Sequence, residues 1–423
     1  MHRDLVAEIN TDALLGNAAA VRSICGPAVS CCAVVKSNAY GHEAGIVGPV
    51  LERAGITTAA VATISEALSL RDAGFTGGVL CFGPLFSAPT ERERTERIAA
   101  AVAFDLTPTL VDGRGLRDLD AAGRRYGRRV GVHINVDTGM SRLGVSPTTA
   151  VRLAHEVARL DHVTLAGLYT HLANADLADL SSARAQLAVF ANVAGQLRAA
   201  SMSPAILHAA NSAGLMRLAE SRLDMVRPGL LLYGCVPAPT VMRPAGLRPV
   251  LRLRSRLVMV KRVPAGTPVG YGGTFVTRRE SIIGVVPIGY NDGYLRGLSN
   301  RAVMGLPYGD APVIGAISMD QCVLDLTGLT GAAVGDPVVI IDDLPERPNS
   351  LESLAAILGT IPYELACLLG NRIRRVPVGD AAEEIKLPET HIPSPGEELL
   401  RHAAVIRHTQ RRGHLPSQPL DLG

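Results

Sequence analysis

Eight short apolar runs alternate with helix-length segments between Val29 and Val226, and this alternation restricts the fold of the chain more than any other feature. Parallel strands need long crossover connections, which helices usually supply. Eight strands separated in this way over about 200 residues favour a closed parallel barrel over an open sheet. We therefore predict an α/β fold that starts with a (β/α)8 TIM-type barrel, with strands at Val29–Val35, Thr58–Thr63, Gly78–Phe82, Leu106–Leu110, Val130–Val136, Leu165–Thr170, Ile206–Ala209 and Met225–Val226.

A second region begins near Pro239, where the alternation stops. From Arg252 to Asp342, short β-type runs are separated by turns such as VPAGTPVGYGG and PIGYNDGY, and one helix is predicted near Leu351–Leu358. This pattern predicts a C-terminal mostly-β domain. The predicted domains are residues 12–238 for the barrel, residues 239–378 together with a strand from residues 1–11 for the β domain, and residues 379–423 for a flexible C-terminal tail.

The length and composition of the chain exclude several classes of function. The 423 residues exceed one ordinary core, and the net charge is only 42 minus 39, or +3, without a basic run interleaved with aromatic residues. Nucleic acid is therefore not expected as a partner. No run approaches the roughly 18 apolar residues of a membrane-spanning helix. The 7 cysteines form no C-x-x-C pair, which favours reduced thiols, no metal site and a cytoplasmic location.

Lys36 follows an uncharged run, Ala28 to Val35, of the kind that forms a strand buried on both faces. A lysine at the carboxyl end of such a strand is held by a rigid scaffold while its amine reaches a pocket, as carbonyl chemistry through a Schiff base requires. Taken alone, Lys36 is better explained as a surface lysine that ends a strand. Its neighbours in the predicted barrel favour the catalytic interpretation.

The loops after the seventh and eighth predicted strands have the composition of a phosphate site. Ser212 begins a predicted helix, whose first N–H groups and dipole attract an anion, and Gly229 permits close approach of the backbone. Tyr40, from the first loop, can add a hydroxyl. Individually, Ser212 fits a helix cap and Gly229 a tight turn; together with Lys36 they indicate pyridoxal 5'-phosphate.

The motifs of the chain together resemble the alanine racemase family of fold-type III pyridoxal-phosphate enzymes. The resemblance covers roughly residues 4 to 378. It is carried by VVKSNAYGH (Val34–His42), VDTGMSRLG (Val136–Gly144), YTHLANAD (Tyr169–Asp176), HAANSAGL (His208–Leu215), VRPGLLLYG (Val226–Gly234), VGYGGTF (Val269–Phe275), PIGYNDG (Pro287–Gly293) and SMDQC (Ser318–Cys322).

The resemblance implies a role for each matched residue and a homodimer with shared active sites. Lys36 would be one catalytic base and Tyr271, donated by the second subunit, the other. Arg227 would face the pyridine nitrogen, and His171 would hydrogen-bond Arg227 and link it to Tyr271. The cofactor-binding residues implied are Lys36, Tyr40, His171, Asn211, Ser212, Arg227, Gly229 and Leu230, and the substrate-binding residues are Arg142, Met319, Tyr290, Asn135 and Asn371.

Three positions depart from the family pattern. Asn135 stands where many relatives have a lysine that becomes carbamylated, and a neutral amide cannot supply that negative charge; a small anion such as chloride is the hypothesis for its replacement. Ser318 replaces a nearly isosteric cysteine. Asn371 stands where many relatives have a tyrosine near the phosphate, and its shorter side chain would admit serine.

The resemblance therefore implies interconversion of L-alanine and D-alanine by a two-base mechanism, with D-alanine supplied for peptidoglycan. A serine or broad-specificity racemase is the alternative at the level of substrate. A fold-type III decarboxylase would require an acceptor for a distal amine and an acidic partner at the pyridine nitrogen, where Arg227 stands. A non-catalytic pyridoxal-phosphate carrier would need neither a β domain nor Tyr271.

Overall fold

Eight parallel strands close into a barrel in the computed structural model, which describes residues 4–384. The chain first forms β1 (Val6–Asn10) and α1 (Thr11–Cys25) and then enters the barrel. The barrel closes where the first barrel strand pairs with the last, Ser30 with Met225 and Cys31 with Val226. The barrel strands are β2 (Ser30–Val34), β3 (Thr58–Val61), β4 (Gly78–Pro84), β5 (Leu106–Leu110), β6 (Val130–Asn135), β7 (Val163–Tyr169), β8 (Ile206–His208) and β9 (Met225–Val226).

The predicted (β/α)8 barrel is confirmed, and each of the eight predicted strands has a counterpart at its place in the chain. Small or branched side chains fill the strands because both faces are buried; Ala59, Ala60 and Cys32, for example, have no exposed surface. The connecting segments are α2 (Lys36–Tyr40), α3 (Ala44–Arg53), α4 (Ile64–Asp72), α5 (Glu91–Ala103), α6 (Leu116–Tyr126), α7 (Pro147–Val157), α8 (Ser181–Ala199) and α9 (Ser212–Arg217).

The C-terminal part is mostly β structure, as predicted. Its elements are β10 (Leu251–Arg256), β11 (Met259–Val263), β12 (Pro268–Val269), β13 (Phe275–Val276), β14 (Ser281–Val286), β15 (Val303–Leu306), β16 (Gly309–Ile314), β17 (Cys322–Asp325), β18 (Pro337–Ile341), α10 (Leu351–Leu358), α11 (Pro362–Leu368) and β19 (Arg374–Val378). In the described part of the chain, the main sheet has nine strands in the order β11-β14-β17-β16-β15-β18-β10-β1-β19, so the N-terminal strand β1 lies between β10 and β19. The small β12-β13 pair stands apart from this sheet.

The last described element is a short 3-10 turn at Asp380–Glu384. Most of the predicted tail, residues 385–423, lies outside the described residues. Within residues 4–384, no single helix is long and apolar enough to cross a membrane, and only the pair α10 and α11, bent by 104°, meets that test of length and composition when the two are combined.

Candidate active site

The chain after Lys36 makes a left-handed turn at the mouth of the barrel. Ser37, Asn38, Ala39 and Tyr40 all have φ between 51° and 54°. Each non-glycine residue in this conformation costs about 1–2 kcal/mol, so four in succession require support from their surroundings. The turn allows the half-buried Lys36 to leave its strand while Tyr40 points back into the core, where it is 7% exposed.

Hydrogen bonds fasten this turn at its start and in its middle. The backbone N–H of Ser37 donates to Glu66 Oε1 at 2.7 Å. The side chain of Asn38 donates to Glu43 Oε2 at 3.0 Å and accepts from the N–H of Ala44 at 2.8 Å. The amide of Asn38 thus connects the turn to the start of the following helix, which offsets part of the backbone strain.

The end of the turn is fixed against the C-terminal part of the chain. Gly41 has φ +77°, and a Cβ at this position would lie 2.1 Å from the carbonyl oxygen of Ala366. The buried Arg375 donates from Nε to the carbonyl oxygen of Gly41 at 3.1 Å. Only glycine fits here, because both the left-handed conformation and the close backbone contact exclude a side chain.

The surroundings of Lys36 favour the neutral amine. Burial, and after it the positive charge of Arg142, lowers the pKa of Lys36, while Cys367 and Glu66 act in the opposite direction. A neutral amine is the form that attacks a carbonyl group and accepts a proton. The site therefore shifts Lys36 toward the state that such chemistry needs.

Three of the residues predicted to bind phosphate, Tyr40, Ser212 and Gly229, lie close together. Ser212 Oγ accepts from the N–H of Gly229 at 3.0 Å, and a Cβ on Gly229 would lie 2.7 Å from the hydroxyl oxygen of Tyr40. Asn211, rather than Ser212, caps helix α9, because its side chain accepts from the N–H of Gly214 at 2.9 Å. The hydroxyl of Ser212 is therefore directed to the loop that contains Gly229 and the buried Leu230.

The ring of Tyr40 has two tyrosine neighbours. It packs against Tyr363, with centroids 5.7 Å apart, and against Tyr233 at 5.1 Å. Tyr363 lies in helix α11 and was not recognised from the sequence. Asn371 is exposed in the segment after that helix. The expectation that its short side chain admits serine stays a prediction.

The structure corrects the expected partner of Arg227. The guanidinium, only 2% exposed, makes a 2.6 Å hydrogen bond to His208 Nδ1 and donates to the carbonyl oxygens of Thr170 at 2.7 Å and Ala209 at 3.1 Å. No hydrogen bond joins it to the side chain of His171 among the described residues. Strands β8 and β9 are paired neighbours, which places the ring of His208 within reach of Arg227.

Arg227 begins a chain of buried imidazoles. Because the guanidinium can only donate, His208 accepts at Nδ1 and donates from Nε2 to His133 Nδ1, at 2.9 Å. Burial and the charge of Arg227 lower the pKa of His133 to about 4 and that of His208 well below its usual value. Burial lowers the pKa of Arg227 itself to about 10. At neutral pH both histidines are thus neutral and Arg227 is charged.

The ring of Tyr169 packs against both His208 and Arg227. It stacks on the ring of His208, with centroids 4.8 Å apart, and the guanidinium carbon of Arg227 lies 5.1 Å from its centre. The charge of Arg227 is therefore surrounded by an aromatic face, an imidazole and carbonyl oxygens. None of these three ring-bearing residues, Tyr169, His133 and His208, was predicted from the sequence as a site residue.

The loop that carries Arg142 is built around Asp137. Asp137 Oδ1 accepts from the N–H groups of Gly139, Met140 and Ser141 at 3.0–3.1 Å. Burial alone would raise the pKa of this carboxyl, but the three donors lower it overall. Arg142 follows directly and is exposed. Asn135, 6% exposed, lies at the end of β6, at the base of this loop.

Gln186 joins the Arg142 loop to the loop after β7. Its Nε2 donates to Thr138 Oγ1 at 3.2 Å and to the carbonyl oxygen of His171 at 3.0 Å. Burial and the charges of Arg227, Arg142 and Lys36 lower the pKa of His171 to about 3, so its ring is neutral. His171 is thus placed among the three cations by its loop rather than by a bond to Arg227.

The other predicted residues lie on an exposed face of the C-terminal part. Tyr271 is 72% exposed, Met319 52% and Tyr290 42%. Two backbone hydrogen bonds join the loop of Tyr290 to the loop of Met319. The N–H of Tyr290 donates to the carbonyl oxygen of Ser318, and the N–H of Asn291 donates to that of Met319. A cavity of about 510 Å³ on this face is lined by Tyr271, Tyr290, Arg296 and Ile317.

Within one chain, the predicted site is therefore divided in two. The barrel half-site comprises Lys36, Tyr40, Ser212, Arg227 and Gly229. The β face comprises Tyr271, Tyr290 and Met319, and its cavity has no lining residue from the barrel. Together they define a barrel protein of the kind that performs chemistry at the carboxyl ends of its strands.

Comparison with known proteins identifies the group to which it belongs. The family model for the N-terminal domain of alanine racemase matches residues 9–237, and the model for the C-terminal domain matches residues 250–377. The alanine racemase of Desulfovibrio desulfuricans is 39% identical over 374 residues, which cover 88% of this chain and 98% of the relative. The alanine racemase of Symbiobacterium thermophilum is 39% identical over 376 residues, covering 89% and 97%.

Solved structures agree with the sequence relatives. Alanine racemase from D-cycloserine producing Streptomyces lavendulae has a TM-score of 0.83 at 35% identity, covering 90% of this chain and 98% of that one. Alanine racemase from Bartonella henselae, solved with covalently bound pyridoxal phosphate, has a TM-score of 0.76 at 31% identity, covering 89% and 100%. The chain belongs to the alanine racemase family.

Proposed function

We propose that this protein is a pyridoxal 5'-phosphate-dependent alanine racemase that works as a homodimer and supplies D-alanine for peptidoglycan. The observation that carries the proposal is the division of the site. Lys36 lies at the barrel mouth of its own chain, while Tyr271 is 72% exposed on a face without barrel residues. Racemisation needs one base on each side of a carbon, and a second copy of the chain can bring the partner's Tyr271 to Lys36.

The barrel half-site fits the cofactor. The cradle at Gly229, which a Cβ would fill, offers the backbone N–H of Leu230 and the hydroxyls of Ser212 and Tyr40 to a phosphate, while the N–H of Gly229 donates to Ser212 Oγ. Lys36 would hold the aldehyde carbon, and Arg227 would donate to the pyridine nitrogen. When bound, the cofactor withdraws electrons from the substrate α-carbon and makes its proton removable.

The two bases would exchange roles according to direction. Lys36, whose pKa is lowered by burial, accepts a proton on one side of the substrate, and the hydroxyl of the partner's Tyr271 donates one on the other. Arg142 would hold the substrate carboxylate, which orients the α-carbon between the two.

Arg227 supports racemisation over other outcomes. A guanidinium donates a hydrogen bond but does not transfer its proton, and its pKa of about 10 keeps it charged at neutral pH. The pyridine nitrogen would therefore remain unprotonated and withdraw electrons less strongly. Rapid return of the proton to the α-carbon is then favoured over transamination.

Incubation with L-alanine in deuterated water tests the activity. The proposal predicts D-alanine with deuterium at the α-carbon, observed by mass spectrometry after chiral separation. A decarboxylase acting on its own substrate would yield an amine instead, and a carrier would yield nothing. Unlabelled D-alanine would also contradict proton exchange with solvent through the two bases.

Mixed dimers test the sharing of the site. Lys36→Ala and Tyr271→Phe subunits are each expected to be inactive alone. After random exchange, half of the dimers are mixed and each has one intact site of two, so about one quarter of wild-type activity should return. If Tyr271 instead acted on Lys36 of its own chain, mixing would restore nothing.

A further inference from the structure

The carboxylate of Glu66 serves two elements at once. Its Oε2 accepts from the backbone N–H groups of Ala62 at 2.7 Å and Thr63 at 3.1 Å, which closes a capping box at the start of helix α4. Its Oε1 accepts from the N–H of Ser37 at 2.7 Å. A capping box needs only the first set of bonds. The bond to Ser37 reaches the residue directly after Lys36, in a different part of the barrel.

This bond completes a pair that brackets Lys36. Before the lysine, the N–H of Val35 donates to the carbonyl oxygen of Ala60 at 2.9 Å, as a continuation of the pairing between β2 and β3. After the lysine, the N–H of Ser37 donates to Glu66. Both acceptors lie in the segment formed by β3 and the start of α4. The backbone of Lys36 is therefore attached on each side to the same rigid segment.

The second attachment acts where the chain is strained. Ser37 is the first residue of the left-handed turn, with φ +53° and ψ +50°. An ordinary residue leaves this conformation unless its surroundings hold it there. Without the bond to Glu66, the N–H of Ser37 would lose its acceptor. The turn would keep its backbone bonds from Ala39 to Val35 and from Gly41 to Ser37, and its attachments at Asn38 and Gly41. The direction in which the Lys36 side chain leaves the backbone would then be less well defined.

We propose that Glu66 is a positioning residue for Lys36, whose carboxylate fixes the first residue of the left-handed turn and thereby the direction of the lysine amine. This inference deepens the proposed function, on which its catalytic consequences rest. The negative charge of the carboxylate also acts on the amine. Burial and Arg142 lower the pKa of Lys36, and Glu66 raises it. Glu66 therefore affects both the position and the protonation of the Lys36 amine.

Glu66→Gln separates the two tasks of the side chain. All three groups that Glu66 accepts from are N–H donors, and a glutamine amide has one accepting oxygen and one donating nitrogen. The oxygen is expected to stay with the two donors of the cap, which leaves the N–H of Ser37 facing the amide nitrogen. Thr63→Ala is the matched control. It removes the hydroxyl that accepts from the N–H of Glu66 at 3.2 Å and leaves the bond to Ser37 in place.

Hydrogen exchange and kinetics on the full-length holoenzyme test the proposal. In Glu66→Gln, the amide of Ser37 should exchange faster, and kcat should fall about 10- to 100-fold with little change in KM, because a small misplacement of a catalytic group has effects of that size. In the plot of kcat against pH, the part of the curve that reports deprotonation of Lys36 should move to lower pH, because the substitution removes a carboxylate that raises the pKa of Lys36. Thr63→Ala should keep the wild-type exchange at Ser37, kcat and pH profile.

Glu66→Asp distinguishes the effect of the position of the carboxylate from the effect of its charge. It also serves as the test variant if Glu66→Gln does not fold. It keeps the negative charge but withdraws the oxygens by one methylene, so exchange at Ser37 and kcat should change while the pH limb remains. Equal behaviour of the Glu66 variants and Thr63→Ala in exchange and turnover would overturn the proposal. A wild-type protein without racemase activity would refute the proposed function, whereas the exchange at Ser37 would still report on the contact itself.

Discussion

The barrel half-site and the β face differ in how each is built. In the barrel half-site, Arg227 and Ser212 are 2% exposed, Tyr40 is 7% exposed, and each is held by hydrogen bonds or ring contacts from its own chain. On the β face, Tyr271 and Met319 are more than half exposed. The first half is organised before any partner binds. The second offers an aromatic surface of the kind that is buried when chains associate.

Because of this difference, substitutions in the two regions should have different effects on the stability of the fold and on catalysis. A buried polar group contributes to folding as well as to function, because it is unfavourable to leave it without its partners. An exposed tyrosine contributes little to folding of its own chain. Substitutions in the barrel half-site should therefore affect both stability and activity, and substitutions on the β face should affect activity alone.

The largest effect is expected at the lysine of the barrel half-site. Lys36→Ala removes both the attachment point and one base, so racemisation should fall by more than about 10⁴-fold. The sequence has only three lysines, at positions 36, 261 and 386, so reduction with borohydride and peptide mapping give a clear result. The reduced adduct should map to Lys36. Lys261→Ala, an exposed control on β11, should keep activity and adduct, and an adduct at any other lysine would contradict the assignment.

Gly41→Ala and Tyr271→Phe compare the two regions directly. Alanine at position 41 must adopt φ +77° and places its Cβ 2.1 Å from the oxygen of Ala366. The expected loss of unfolding free energy is about 2–5 kcal/mol, from left-handed strain and overpacking together. Tyr271→Phe should change it by less than about 0.5 kcal/mol, because the residue is exposed. Urea unfolding of both variants measures the difference.

Gly127→Ala is the matched control for Gly41→Ala. Gly127 has φ +61°, but a Cβ at this position would meet no atom within 4 Å. The variant should lose only the strain contribution, about 1–2 kcal/mol. Equal losses at Gly41 and Gly127 would mean that the contact with Ala366 does not fix the turn.

Acid should weaken the barrel through its buried histidines. Burial lowers the pKa of His42 and that of His133 to about 4, whereas an unfolded histidine titrates near 6.5. Below pH 6.5 the unfolded chain therefore binds protons that the folded chain excludes. Stability that is fully present above this pH is lost as the pH falls toward 4. From pH 7 to pH 5 each histidine should contribute a loss of about 2 kcal/mol.

The unfolding free energy at the two pH values tests this expectation. His133→Asn and His42→Gln should each reduce the loss between pH 7 and pH 5. The exposed His155→Gln variant should keep the wild-type slope. An unchanged slope in both buried-site variants would show that their imidazoles become protonated in the folded protein without a penalty.

The barrel was predictable because its signal is local and repeated. Each strand is an apolar run bounded by turns, and even the two-residue strand Met225–Val226 coincides with its prediction. The places of Lys36, Ser212 and Gly229 after barrel strands were predictable in the same way. Their roles stay predictions, based on the rule that chemistry in a barrel gathers where strands end. These rules place a residue at the correct edge of the fold, but they do not determine which other side chain it contacts.

The missed residues are those whose roles depend on contacts between distant segments. Glu66 has the sequence signature of a capping box, which accounts for only some of its bonds. His208 is the last residue of a strand, and its bond to Arg227 depends on the pairing of β8 and β9. Tyr363 is 323 residues from Tyr40 along the chain, counted as 363 minus 40, and only the packing of α11 on the barrel mouth joins them.

The smallest effect is expected at Asn371, where two predictions differ: the family resemblance implies that its short side chain admits serine, whereas its exposure in its own chain predicts little change on substitution. Asn371 is exposed, and Tyr363 already packs against Tyr40. Asn371→Tyr should therefore change the ratio of kcat/KM for alanine and serine by no more than about twofold, the usual size for a surface substitution. Tyr363→Leu, which removes the ring contact, should lower kcat/KM about 2- to 10-fold. A shift in the alanine-to-serine ratio of tenfold or more in Asn371→Tyr would restore Asn371 as a determinant of specificity and show that it reaches a site outside its own chain.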